Sequence, residues 1–416
     1  MLRPYANPKW KRPVWTINLN YFGGWTNSVR NPALLSVVLI PHSPFSCLRP
    51  MSNATVSLSH SSVFALFCSV LVVIGLGTCA EAGGHGQPPS PVKIQSVTLD
   101  ARQAPSPSVM RGLRDMGVTH VTLIQFAFQP GIDVPEVRMH TDANWFSESD
   151  RGIRSLSRQA DSLGLKIILK PHIWVGRYSS GGQTRADIGF ETEEAWAQWE
   201  VQYHTFMMHY AHLAEDVGAA MLVVGTELAR AAHTRPAFWR GLIADVRAVY
   251  GGPLTYAANW WEEYEDVAFW DALDYIGVQG YFELSKADNP TLAMLRDGWQ
   301  PYKETMQRLA EQTGRPVLFT EIGYRNVPFA AAEPWRWPSR DDMNTVQPDD
   351  SLQVRLYQAF FESLWHESWF AGAVLWKWKP GASRRRNLDF SPQNKPAEHV
   401  IARWFSRRAA PAATSH

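Results

Sequence analysis

Two glutamates stand where apolar runs end. Residues 221–224 lead into Gly225-Thr226-Glu227-Leu228, and residues 317–319 lead into Thr320-Glu321-Ile322-Gly323-Tyr324. A carboxylate at the end of a buried strand costs burial free energy, so it needs either a partner or a chemical use. Two of them across one cleft have an obvious use in cleaving a glycosidic bond. A protonated carboxyl group donates to the leaving oxygen, while an ionised one attacks the anomeric carbon or activates water. The structural alternative is that each glutamate is half of an ion pair, for instance with Lys170 or Arg325.

Positioning two such residues face to face is a demand on the fold. From Lys93 onward, strand-like runs alternate with amphipathic helical stretches. The pattern predicts strands over 94–99, 120–128, 166–174, 220–226, 254–259, 275–282, 316–320 and 373–378. Helices are expected over 109–116, 152–163, 193–216, 236–250, 295–313, 351–369 and 397–405. Eight strands alternating with helices is the pattern of an α/β fold of the (β/α)8 TIM-barrel type. A doubly wound sheet fits less well, because no glycine-rich phosphate loop follows the first strand.

In such a barrel the active site lies at the carboxyl ends of the strands, which therefore read as a list of pocket residues. Gln125 and Phe126 end the second strand, and Lys170, His172 and Trp174 the third. Glu227 ends the fourth; Asn259, Trp260 and Trp261 end the fifth; Gln279 and Tyr281 end the sixth. Glu321, Tyr324 and Arg325 end the seventh, on the opposite side of the barrel from the fourth, and Trp376, Lys377 and Trp378 end the eighth. Carboxylates, an amide, a phenol, an imidazole and several indoles converge, which suits a carbohydrate. Neighbours on a strand point oppositely, so Trp260, Trp261 and Trp378 cannot all face the cleft. His172 and Asn259 are candidate sugar contacts, and Trp174 is a candidate wall of a flanking subsite.

Composition narrows the chemistry further. The 416 residues carry a net charge of +1, which gives no electrostatic reason to expect nucleic acid. All three cysteines, Cys47, Cys68 and Cys79, precede residue 80, so the body has no disulfide, thiolate nucleophile or cysteine metal site. His204, His209 and His212 share a helical stretch without the spacing of a zinc pair. No metal or other cofactor is expected. Nineteen tryptophans are unusual, and they divide between core packing and stacking platforms for a flat ligand such as a sugar ring.

Here the chain resembles a known group. The runs Gly225-Thr226-Glu227-Leu228, Ala257-Ala258-Asn259-Trp260, Asp274 through Phe282, Phe319 through Tyr324 and Gly372 through Trp378 are similar to those of the clan A retaining glycoside hydrolases. Within that clan the chain is most similar to the family 113 β-mannanases and the TIM-barrel-like proteins grouped with them, over roughly residues 93–405. The resemblance implies that Glu227 is the acid/base and Glu321 the nucleophile. It also implies that Tyr281 hydrogen-bonds the nucleophile and that Trp376 forms the floor under the reacting sugar. Most of the clan carries Asn immediately before the acid/base, where it holds the sugar 2-hydroxyl; Thr226 stands there in this chain. A mannose 2-hydroxyl is axial, so a changed partner is compatible with mannan.

Outside the barrel, residues 1–50 show no sustained period and read as a disordered upstream extension. Residues 51–82 contain an apolar run ending near Ala80-Glu81-Ala82 and read as a signal peptide, with no stable membrane span after cleavage. Leu76-Gly77-Thr78-Cys79 imperfectly resembles a lipoprotein box. A Pro/Gly-rich linker covers 83–92, the catalytic barrel 93–405 and a flexible tail 406–416. The expected protein is exported (periplasmic, secreted or lipid-anchored), a monomer, and partnered by an oligosaccharide or polysaccharide. Its expected activity is retaining endo-β-1,4-mannan hydrolysis. The alternatives are a β-glycosidase acting on another glycan such as β-glucan, and a glycan-binding barrel without turnover. The long stretch 326–350 after the seventh strand, with Trp335 and Trp337, is expected to shape one side of the cleft. The basic run Arg384-Arg385-Arg386 is expected to be solvated.

Overall fold

The computed structural model describes residues 93–176, 183–381 and 388–406, apart from the side chain of Arg340. The upstream extension, the signal-like run, the linker, the Arg384-Arg385-Arg386 run and all but the first residue of the tail lie outside the described residues.

Eight parallel strands form the barrel: β1 (Ile94–Leu99), β2 (His120–Gln129), β3 (Lys166–Val175), β4 (Met221–Thr226), β5 (Leu254–Ala258), β6 (Tyr275–Gln279), β7 (Val317–Ile322) and β8 (Phe370–Trp378). Each pairs with the next, and β8 pairs back onto β1, which closes the (β/α)8 barrel. A two-residue strand, Arg138–Met139, lies antiparallel on the end of β2. The helices are α1 (Pro107–Asp115), α2 (Asp150–Asp161), α3 (Glu193–Asp216), α4 (Ala229–Thr234), α5 (Pro236–Val249), α6 (Leu292–Thr313), α7 (Arg340–Thr345), α8 (Asp350–Leu364) and α9 (Pro396–Phe405).

Strand alternation sorts the side chains into two apolar layers. Ile94, Ile168, Met221, Val223, Ala257, Leu318 and Val374 fill the barrel interior as one cluster. The intervening residues, such as Leu169, Leu222, Val224 and Phe319, pack outward against the helices in a larger one. Much of the tryptophan is spent in that outer layer, where Trp199, Trp239 and Trp299 are fully buried. Trp174, Trp376 and Trp378 at strand ends remain partly exposed.

Inward parity also explains which polar residues reach the site. On β3, Lys170, His172 and Trp174 continue the inward set begun by Ile168; on β6, Gln279 continues that of Tyr275 and Gly277. The two glutamate strands behave differently. Val278 pairs with Phe319 but Gln279 pairs with Glu321, so β7 carries one extra residue there. Likewise Val223 pairs with Thr255 but Thr226 with Ala257, one extra residue on β4. Such bulges bend a strand and re-aim the following side chain, and both occur immediately before a glutamate.

Several boundaries differ from the sequence expectation. β5 stops at Ala258 rather than Asn259, because the Asn259 N–H is donated to the Glu263 side chain at 2.7 Å instead of to a neighbouring strand. β6 stops at Gln279 rather than running to Phe282, as the chain tightens with Tyr281 N–H donating to the Gln279 carbonyl at 3.1 Å. α8 ends at Leu364, so β8 begins at Phe370, three residues earlier than expected. The short helices α4 and α7 were not anticipated; at six residues each they are too brief to show a helical period.

Candidate active site

The cleft is organised around a buried lysine. Lys170 has no solvent exposure, and its ammonium donates to Glu321 Oε2 at 2.8 Å, Gln279 Oε1 at 3.0 Å and the Thr320 carbonyl at 3.1 Å. These three acceptors use all three ammonium protons. Burial pulls the Lys170 pKa below its ordinary value, while the charge of Glu321 and its hydrogen bond act against that. Glu321 Oε1 accepts from the Tyr281 hydroxyl at 2.5 Å. Burial and the adjacent Glu321 push the Tyr281 phenol well above its ordinary range, so it is a neutral donor. Glu321 is thus held from both of its oxygens.

Glu227 sits across the cleft. Its Oε1 accepts from Gln279 Nε2 at 2.9 Å, and the same nitrogen lies 3.4 Å from Glu321 Oε2. Carboxylates only accept and an ammonium only donates, so the Gln279 amide has one possible orientation, with oxygen to Lys170 and nitrogen between the two glutamates. The gap between those two carboxylate oxygens cannot exceed the sum of the two nitrogen–oxygen distances. Arg185 Nε lies 3.6 Å from Glu227 Oε2.

Glu227 has a left-handed backbone, φ 53°, which is uncommon for any residue but glycine. Neighbouring β5 holds it there. The Glu227 N–H donates to the Ala257 carbonyl at 2.8 Å, and the Leu228 N–H donates to the Tyr256 hydroxyl at 2.8 Å. Gly225, two residues earlier, leaves room for Tyr256: an added Cβ there would meet the Tyr256 ring at 2.7 Å and Trp239 at 2.8 Å. Thr226 turns its hydroxyl toward the Pro171 carbonyl on β3, at 3.4 Å.

His172 is buried beside Phe126, ring centroids 5.4 Å apart, and Trp174 packs on the same ring at 6.1 Å. Arg185 Nη1 donates to His172 Nδ1 at 2.7 Å. Since arginine only donates, the His172 proton is on Nε2. Burial first, then the charges of Arg185 and Lys170, hold the His172 pKa well below its ordinary value, so the ring is neutral. Asn259 is buried, and its side-chain amide donates to Glu263 Oε2 at 2.6 Å. Trp376 lies at the mouth beside β7, and the Trp376–Lys377 peptide is cis. Lys377 Nζ stands over the Trp376 ring and pairs with Asp100 at 2.5 Å.

Arg325 does not pair with either glutamate. Its guanidinium is buried between Trp337, 3.6 Å to the ring centroid, and Phe390, 4.1 Å, and donates to the Leu388 carbonyl at 3.1 Å. Phe390 in turn packs on Tyr281 at 5.8 Å, so Trp337 from the 326–350 stretch joins the aromatic shell around Glu321's hydroxyl partner. Trp335 donates to Glu283 at 3.2 Å. Of the tryptophans after β5, Trp260 turns inward to pack on Tyr281 at 5.4 Å.

Seven residues proposed from sequence therefore lie at one end of the barrel, with Glu227, Glu321 and Tyr281 joined directly or through Gln279. Two residues of the site were not singled out. Arg185 opens a single 3-10 turn, Arg185–Asp187, whose sequence carries no signal of its target. Glu263 belongs to the acidic run Glu262-Glu263-Tyr264-Glu265-Asp266, and it alone of these acids is buried. Among the described residues no group of three His, Cys, Asp or Glu side chains could hold a metal ion. No helix among them is long and apolar enough to cross a membrane.

Comparison with known proteins agrees with the fold. Solved structures align over most of the chain. One described as a GH113 β-1,4-mannanase complex shares 27% identity with a TM-score of 0.65, covering 76% of this chain and 99% of its own. Another, the GH113 β-mannanase AaManA from Alicyclobacillus acidocaldarius in complex with ManMIm, shares 29% identity with a TM-score of 0.64, covering 76% of this chain and 97% of its own. A Ruminococcus gnavus β-glucuronidase, at 13% identity and a TM-score of 0.50 over 76% of this chain and 50% of its own, shares the fold alone. No curated protein matches the chain. The family model described as Glycoside Hydrolase Family 113 matches residues 97–407. The chain is a glycoside hydrolase and belongs to family 113.

Proposed function

We propose that the protein is a retaining endo-β-1,4-mannanase in which Glu321 is the nucleophile and Glu227 the acid/base. The observation that carries this is the shared Gln279 nitrogen, which brings Glu227 Oε1 and Glu321 Oε2 onto one donor, as two carboxylates acting on one glycosidic bond require. The environments divide the roles. Glu321, bonded to an ammonium and a phenol, is held as an acceptor and aimed. Glu227 is more exposed, takes its hydrogen bond from an uncharged amide and has the Arg185 guanidinium at 3.6 Å.

In the first step a Glu321 oxygen attacks the anomeric carbon as Glu227 gives its proton to the departing glycosidic oxygen, leaving a glycosyl ester on Glu321. In the second, Glu227 takes a proton from water, the water oxygen attacks the same carbon, and the ester bond breaks. Two inversions give net retention. Trp376 is the proposed floor beneath the reacting sugar, His172 and Asn259 flank it, and Trp174 walls a neighbouring subsite. Mannan is favoured as substrate by the similarity to two structures described as family 113 β-mannanases. The apolar run within residues 51–82 supports export.

The test is hydrolysis of soluble β-1,4-mannan by the chain, beside Glu227→Ala and Glu321→Ala. Activity lost in both variants is the expected result. Cleavage of β-glucan but not mannan would overturn the substrate, and binding of mannan without cleavage would overturn the enzyme reading.

A further inference from the structure

A left-handed backbone at Glu227 has to be maintained by its surroundings, and the hydrogen bonds that do so lead to one buried acid. The Leu228 N–H, immediately after Glu227, donates to the Tyr256 hydroxyl. Having accepted there, that hydroxyl donates its own proton to Glu263 Oε1. Glu263 Oε2 accepts from both the backbone and the side-chain amide of Asn259, at 2.7 and 2.6 Å. Glu263 is buried, and nothing in the double displacement uses it. It ties the end of β5 to the turn that carries Glu227.

We propose that Glu263 is a positioning residue for general acid catalysis: through Tyr256 and the Leu228 amide it fixes the backbone kink that aims Glu227 at the leaving oxygen. The inference rests on the mannanase reading. Its direction follows from the hydrogen-bond order. Tyr256 can accept from Leu228 and donate at the same time only if an acceptor lies beyond it, and Glu263 is that acceptor. Without the carboxylate, the hydroxyl is free to rotate and the Leu228 amide loses a fixed partner. Glu227 then samples orientations in which its proton misses the glycosidic oxygen, although Glu321, held separately by Lys170 and Tyr281, stays aimed.

That asymmetry supplies the test, because a good leaving group departs without a proton and a poor one does not. kcat/KM, which reports the first step, is measured on dinitrophenyl and phenyl β-mannobiosides for the full chain, Glu263→Gln and Tyr256→Phe, with thermal unfolding as the fold control. Both variants should lose roughly tenfold or more on the phenyl substrate while changing little on the dinitrophenyl one, a fraction of the ~10²–10⁴ supplied by general acid–base catalysis. Equal losses on both substrates by folded variants, or no loss on either, overturn the proposal. If Glu263→Gln does not fold, Tyr256→Phe decides alone. Cleavage of neither substrate by the unaltered chain overturns the mannanase reading, and this proposal with it.

Discussion

The ammonium of Lys170 lies 2.8 Å from Glu321 Oε2, with Lys170 fully enclosed and Glu321 nearly so. The sequence allowed two readings of such a glutamate, as half of an ion pair or as a reactive group, and for Glu321 the two are compatible. A lysine bonded to one oxygen of a glutamate fixes the direction of that carboxylate.

Lys170→Met keeps most of the side chain's length and removes the charge. A buried carboxylate left without its cation typically costs about 3–5 kcal/mol. We expect destabilisation of that order in denaturant unfolding, together with a loss in kcat/KM of about 10² or more from misdirected attack. A variant of near-normal stability and activity would show that the pair is dispensable.

Chemical rescue separates the two glutamates. With an activated aryl mannoside, Glu227→Ala should accumulate the glycosyl enzyme, and azide should release it as the β-mannosyl azide. In Glu321→Ala azide takes the nucleophile's place and should yield the α-azide. Product configuration by NMR checks the assignment, and exchanged outcomes would reverse the roles.

Glu263 makes stability depend on pH. Burial pushes its carboxyl up to about 7, against 4.5 ordinarily, with the charge of Glu227 adding to the rise and the bonds from Tyr256 and Asn259 opposing it. Between those values the folded protein holds a proton that the unfolded chain has released, so stability falls as pH rises from about 4.5 to 7. Glu148, also pushed up to about 7, acts in the same sense, while His120, held down to about 4, acts oppositely. The Glu263 share is therefore read as a difference. The unfolding free energy of wild type relative to Glu263→Gln should fall by ~3 kcal/mol across that window, from ~1.36 kcal/mol per pKa unit. A pH-independent difference would place the Glu263 pKa near its ordinary value.

Much of this was legible in the sequence, for reasons that particular residues make clear. Glu227 and Glu321 were visible because a charge ending an apolar run violates the pattern around it. The barrel was visible because strand and helix periods alternate. What the sequence did not carry was pairing across the barrel. Lys170 and Gln279 were seen as pocket residues, but their bonds to Glu321 depend on the relative heights of β3, β6 and β7, which bulges adjust one residue at a time. Glu263 was hidden among acids that are solvated, and only the fold selects one of them for burial. Arg325 was weighed as an ion-pair partner for a glutamate only as an alternative, from its nearness in sequence. It instead follows the chain out of β7 to stack between two aromatic rings.

Trp337 and Arg325 together make the 326–350 stretch testable. Trp337→Ala removes one face of the guanidinium stack, worth about 2 kcal/mol when desolvated, and loosens the wall next to Phe390 and Tyr281. The distribution of manno-oligosaccharide products by chain length should shift, with thermal unfolding lowered. An unchanged product pattern in a destabilised variant would limit this stretch to a structural role.

The left-handed turn at Glu227 implies a conflict between durability and work. A side chain at φ 53° is strained by ~1 kcal/mol where glycine is not. Glu227→Gly should therefore outlast Glu227→Ala on heating while being equally inert. Selection for robustness alone would drift toward glycine here, so under the proposed mechanism the glutamate is kept for its chemistry against the backbone's preference.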